Sequence, residues 1–207
     1  MNALDWLPAP DVLLKKSKSL AMLDAIHCQQ WDLRYFSHNA HWGDGQEMGS
    51  MRDGQGDDYF ILFAPFGTAI KGCFLAGGLS GDQQVQAAIH VAMPAALRPF
   101  ITEPAFSMPE ASFVAWFDGA TWQKIAASPA EAARDDGSRD LTAWLRGDAH
   151  FYQAWATSYY ETPIALELVQ HIFDFRPLDI AALKWLGMAL DERQLLEDIN
   201  EIGYPCA

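Results

Sequence analysis

The stretch Gln46-Glu47-Met48-Gly49-Ser50-Met51-Arg52-Asp53-Gly54-Gln55-Gly56-Asp57-Asp58-Tyr59-Phe60-Ile61-Leu62-Phe63-Ala64-Pro65-Phe66-Gly67-Thr68 decides the fold class. Residues 46–52 and 57–64 read as strands flanking the turn Asp53-Gly54-Gln55-Gly56. Pro65-Phe66-Gly67 then turns the chain into a further strand, 68–75. Connections this short join antiparallel neighbours, because a parallel crossover needs roughly a dozen residues or more. The run Tyr59-Phe60-Ile61-Leu62-Phe63 is apolar on both faces, so this strand is expected at the centre of the sheet, covered on both sides.

Working outward, residues 32–37 read as a strand and 38–45 as a loop rich in Asn, His, Gly and Asp. Before them, Asp11 can cap a helix that Gln29 and Gln30 end, with Leu13, Leu20, Leu23 and Ile26–His27 at helical spacing. On the other side, 83–91 and 95–101 read as short helices, the second led by Pro94. Residues 112–117 and 120–125 form a hairpin signal around Asp118-Gly119, the pair that favours a two-residue type I′ turn. Residues 127–140, with Ser128-Pro129 and Arg134-Asp135-Asp136-Gly137-Ser138, read as a linker. The remainder reads as helical. Trp144, Phe151, Trp155 and Tyr159 mark one helix, Thr162 and Pro163 open another that runs to about Phe173, and Asp179 caps a third. Asp191 caps the last, which Gly203 ends in a left-handed conformation ahead of Pro205. The expectation is an α+β fold: an antiparallel sheet of about six strands, an N-terminal helix and a C-terminal helical layer. The organisation expected is a sheet domain at 1–126, a linker at 127–140 and a helical subdomain at 141–207.

The chain has 14 Lys and Arg against 27 Asp and Glu, for a net charge of −13. Residues 101–207 carry 7 basic and 17 acidic side chains, a net of −10. Such a field opposes nucleic acid, which is held by Lys and Arg on phosphates, and opposes anionic membranes. It favours a basic protein partner whose association is salt-sensitive. The acids Asp191, Glu192, Glu197, Asp198 and Glu201 concentrate this charge, and four of them can face solvent on a helix whose apolar side is Leu195, Ile199 and Ile202. Cys28, Cys73 and Cys206 are odd in number and lack a C-x-x-C pair, which fits a reducing, cytoplasmic setting without disulfides or zinc. No secretory leader or membrane-spanning stretch is read.

The turn at 53–58 carries the most unusual local chemistry. It is not followed by Gly-Lys-Ser/Thr and joins two strands, so a phosphate loop is not expected. As a calcium loop it offers Asp53, Gln55 and Asp57 at alternate positions, but Ala64 stands where a bidentate Glu belongs. Asp57 and Asp58 point to opposite faces of a strand. The turn acids are expected to bond turn amides, with Arg52 pairing one of them. His38 and His41, with Asp44 and Glu47, lack the spacing of a closed zinc site. Ser80 misses the G-x-S-x-G pattern by one position. No catalytic residue, metal or cofactor is therefore assigned, and the candidate binding residues are Trp42, Glu47, Arg52, Asp53, Asp57 and Asp58. Of the tryptophans near element ends, Trp6, Trp31 and Trp42 are expected to be buried.

The Met51-Arg52-Asp53-Gly54-Gln55-Gly56-Asp57-Asp58-Tyr59-Phe60 segment resembles a Met-Arg-x-Gly-x-Gly-Asp-acidic-aromatic turn of uncharacterised bacterial proteins. Glu103-Pro104-Ala105-Phe106-Ser107 and Glu201-Ile202-Gly203-Tyr204-Pro205 resemble the same group. The Gly-Asp-acidic-aromatic strand is also loosely similar to the SUKH superfamily, which includes immunity proteins of bacterial toxin systems, although the usual helix with Pro and Asn-Gly ahead of its first strand is not found. That resemblance implies a non-catalytic protein-binding domain, in a toxin-immunity or accessory role. The alternative is a cytosolic enzyme acting on a small molecule.

Overall fold

The computed structural model describes residues 4–125, 134–180 and 191–207. Its centre is a single six-stranded antiparallel sheet whose strands follow one another in space as in sequence: β1 Phe36–Gly43, β2 Gln46–Arg52, β3 Asp58–Ala64, β4 Gly67–Cys73, β5 Phe113–Phe117 and β6 Trp122–Lys124. Every pairing is antiparallel, and the central register sets Ile61 opposite both Gly49 and Ile70. The protein is thus an α+β fold of the kind the alternating strands and short turns imply.

The sheet lies between two helical layers, because side chains alternate across its two faces. One face presents Phe36, Met51, Tyr59, Ile61, Ile70 and Phe113 to the helix α1, Pro10–His27, and to the helices Ala149–Tyr159, Leu166–Phe173 and Glu192–Ile202. The N-terminal helix and the C-terminal layer therefore share a face. The other face, with Leu62, Ala69 and Val114, is covered by the segment between β4 and β5, chiefly the helix Gln83–Ala92 and the short helical turns up to Glu110. Tyr59, Ile61 and Leu62 are all buried, as the two-sided apolar run in β3 requires.

Several local expectations change. The polar stretch 38–45 is not a loop; its first six residues belong to β1, because each awkward side chain finds a partner. His38 bonds Ser17 and Glu47, His41 bonds the Asn200 carbonyl, and Trp42 stacks on Phe106. The helix expected from Pro163 starts at Leu166. The carbonyls of Thr162 and Ile164, which a helix opened there would use for itself, instead bond His27 and Gln153. Asp118-Gly119 is not a two-residue turn. Strand pairing ends at Phe117 and Trp122, and the Asp118 carboxylate holds the amides of Ala120 and Thr121 in a longer loop. Asp11 lies in the first turn of α1, with Ala9 at the cap position. Of the expected linker, residues 134–140 pack on the sheet domain: the Asp136 carbonyl accepts from Ser112, and its carboxylate pairs with Lys124 at 2.5 Å. Residues 127–133, and most of the helix expected after Asp179, lie outside the described residues.

Candidate functional site

The apolar stripe of α1 carries polar residues at the same spacing. Leu13, Ser17, Leu20, Asp24 and His27 recur every three or four residues, and Ser17 and Asp24 are buried with the leucines. Each is tied to the sheet. Ser17 Oγ lies 2.9 Å from His38 Nδ1, and His38 Nε2 lies 3.0 Å from Glu47 Oε2, which Lys18 also reaches at 2.7 Å. Gly49 makes this approach possible, since a Cβ there would collide with Ser17 Oγ. A serine, histidine and carboxylate in line suggest a nucleophile, but Ser17 is packed against the backbone of β2 under its own helix. The chain fastens α1 to the sheet. Burial lowers the His38 pKa, opposed by its bond to Glu47.

Asp24 makes the second tie. Its Oδ2 accepts the amides of Tyr35 and Phe36 at 2.9 and 2.7 Å, and its Oδ1 accepts the Tyr152 hydroxyl at 2.7 Å. Tyr160 bonds it as well. Burial raises the carboxyl to about 6, against the pull of these hydrogen bonds. Above Asp24 the rings of Tyr35, Trp155 and Tyr159 pack together, with Tyr35 and Tyr159 centred 5.4 Å apart.

This aromatic group reaches the surface at one end of the sheet, where β1 and β3 begin and β2 and β4 end. Four large apolar residues are exposed there: Trp31 at 48%, Leu33 at 54%, Leu75 at 51% and Tyr159 at 43%. Leu75 covers the 53–57 turn at Gly56, Trp31 lies against Arg52 just ahead of it, and Tyr159 packs on Tyr35. Asp53 Oδ1 accepts the amides of Gln55, Gly56 and Asp57, which fixes the turn. Leu75 lies over Gly56, and its amide bonds Asp57 Oδ1 at 2.9 Å. Burial pushes the Tyr35 hydroxyl up to about 12, and the negative charge of Asp53, with Tyr159 and Asp57, adds to it. Arg52 does not pair an acid of the turn; its guanidinium lies over the Trp31 ring, 4.7 Å from the centre.

The six candidate residues from the sequence are thus divided. Arg52, Asp53 and Asp57 come together at this end. Glu47 belongs to the tie with His38 on the α1 face. Asp58 sits on the opposite face, 2.7 Å from the fully buried Lys71. Trp42 is at the far end of β1, stacked on Phe106. Trp31 is exposed where burial was expected, because it stands on a short turn outside the sheet, between α1 and β1. Leu33, Leu75 and Tyr159 were not read as site residues; each looks like an ordinary core residue in sequence. Among the described residues no group of His, Cys, Asp and Glu is arranged to hold a metal.

Beside Trp31 a shallow cleft runs between the outer edge of β1 and the C-terminal helix, lined by Trp31, Arg34, Ser37, Asp198, Glu201 and Ile202 among others. Asp198 does not face solvent with the other acids of that helix. It is buried and takes both terminal nitrogens of Arg34, at 2.7 and 2.8 Å. No described helix is long and apolar enough to cross a membrane. Compared with known proteins, the chain matches no family model, no curated protein and no solved structure.

Proposed function

We propose that the protein is a non-catalytic binding domain that engages a basic protein segment through the end of the sheet formed by Trp31, Leu33, Leu75 and Tyr159. The supporting observation is that half-exposed apolar side chains, Leu75 over Gly56 and Trp31 against Arg52, flank a turn whose carboxylates, Asp53 and Asp57, are held in place by backbone amides. Exposed apolar residues gathered on one surface mark interaction sites more often than scattered ones do. Rigid aromatics within them supply area at little entropic cost. The acids of the turn and the net charge of −13 select a basic partner and speed its encounter. The concrete role is that of a toxin-immunity or accessory protein that covers a basic surface on its target.

The test is selection of peptides from a random display library by the purified chain at low salt. Peptides combining Lys or Arg with apolar residues should be enriched. Their binding should weaken as salt rises and disappear in Trp31→Ala/Leu75→Ser. Enrichment of acidic or neutral peptides, or binding that survives the double substitution, refutes the proposal.

A further inference from the structure

The lysines of the described residues are not alike. Lys18, Lys71 and Lys124 each set Nζ on a carboxylate, those of Glu47, Asp58 and Asp136, at 2.7, 2.7 and 2.5 Å. Lys15 is exposed. Lys16 is partly buried and forms no ion pair among the described residues. Its Nζ donates to the Gly147 carbonyl at 2.6 Å and lies over the Phe173 ring, 3.6 Å from the centre. Asp148, next to Gly147, attracts it through space, but the Asp148 carboxylate accepts from the Phe151 amide. Burial lowers the amine to about 8 against that attraction. About a tenth of it is then uncharged at pH 7, against roughly a thousandth or less of an ordinary lysine. An uncharged amine shielded from water is a nucleophile. The same contacts suit an acylated lysine. The Gly147 carbonyl needs one N–H, and an amide supplies it. Acylation of Lys18, Lys71 or Lys124 would instead take the counter-ion from a carboxylate.

We propose that Lys16 is a modification site that accepts small acyl groups from donors activated as acyl phosphates or thioesters. The Nζ lone pair attacks the acyl carbon. A C–N bond forms, the bond from that carbon to phosphate or thiol breaks, the leaving group takes the electron pair, and one Nζ proton passes to water. The product is a neutral amide that keeps an N–H for Gly147 and removes a charge held out of water. This goes beyond the binding function proposed above and does not depend on it.

The experiment treats the intact chain at pH 7.5 with acetyl phosphate, and in parallel with the thioester S-acetyl-N-acetylcysteamine, to low conversion. Cleavage ahead of Asp11 and Asp24 places Lys15, Lys16 and Lys18 on one peptide, and fragment masses give the acetylation rate at each. Lys16 should react about ten-fold faster than Lys15. Its free-amine fraction exceeds that of an ordinary lysine by about two powers of ten, and its weaker basicity gives back about one. In urea, where the site is gone, the two should react alike. The chain acetylated at Lys16 should keep the denaturation midpoint of the unmodified one. Selectivity for Lys16 with one donor alone supports the site and identifies its donor class. Lys16 reacting no faster than Lys15 with either donor, selectivity that persists in urea, or a lowered midpoint after acetylation overturns the proposal.

Discussion

Replacing Asp24 with Asn should remove a pH dependence of stability that the wild-type chain carries. Asp24 is 0% exposed, and burial lifts its pKa from 3.8 to about 6 in the fold, although Tyr152, Tyr160 and the amides of Tyr35 and Phe36 all bond it. The folded pKa therefore lies above the unfolded one, so the native state holds a proton that the unfolded chain releases. The stabilisation is fully present below the unfolded pKa and is lost as pH rises through about 6. A shift of about 2 units at about 1.4 kcal/mol each amounts to roughly 3 kcal/mol. Asn has the same shape. Its carbonyl can accept the two amides that now share Oδ2, and its NH2 can donate to the Tyr152 oxygen once that hydroxyl rotates. The substitution thus removes the buried charge and keeps the geometry. Urea unfolding of both proteins from pH 4 to pH 8 measures the difference, because all other titrations are common to the two. The variant should gain about 2.5 kcal/mol relative to wild type across that range, the remainder being lost below pH 4. Parallel stability curves would refute the reasoning. Asp24→Ala is the control: it leaves the buried Phe36 amide and the buried Tyr152 hydroxyl without their acceptor, at about 1–3 kcal/mol each, and should be destabilised at every pH.

Two further outcomes follow from the packing. Arg34→Met strands a buried Asp198 carboxylate and should cost about 3–5 kcal/mol in chemical unfolding, whereas Arg34→Met combined with Asp198→Leu should recover most of that loss; a double variant no more stable than the single one would show that the pair holds the C-terminal helix by something besides charge. Gly203 ends that helix at φ 64°, and a Cβ there would come within 2.8 Å of the Ala40 Cβ, so Gly203→Ala should lower stability by about 1–2 kcal/mol or more, read as a fall in denaturation midpoint.

The order and antiparallel pairing of β1 to β4 were legible in sequence because they are local. Turns of two to five residues between β1 and β4 leave no other way to connect the strands, and the apolar run in β3 sets it in the middle. Gly203 was legible for the same reason: a left-handed cap depends on its own backbone and its immediate neighbours. Of the candidate site, the 53–57 turn was legible, since Asp and Gly specify its shape within five residues. Tertiary structure decided the rest, because contacts distant in sequence set it. A polar residue on an apolar stripe, such as Ser17 or Asp24, is a fault in the pattern until His38 and Tyr152 arrive from 21 and 128 residues away to bond it. Asp198 looks like its acidic neighbours until Arg34, 164 residues earlier, draws it inward. Exposure of Trp31, Leu75 and Tyr159 has no local signature at all. Apolar side chains read alike in sequence, and only the arrangement of the elements determines which of them the core has room to cover.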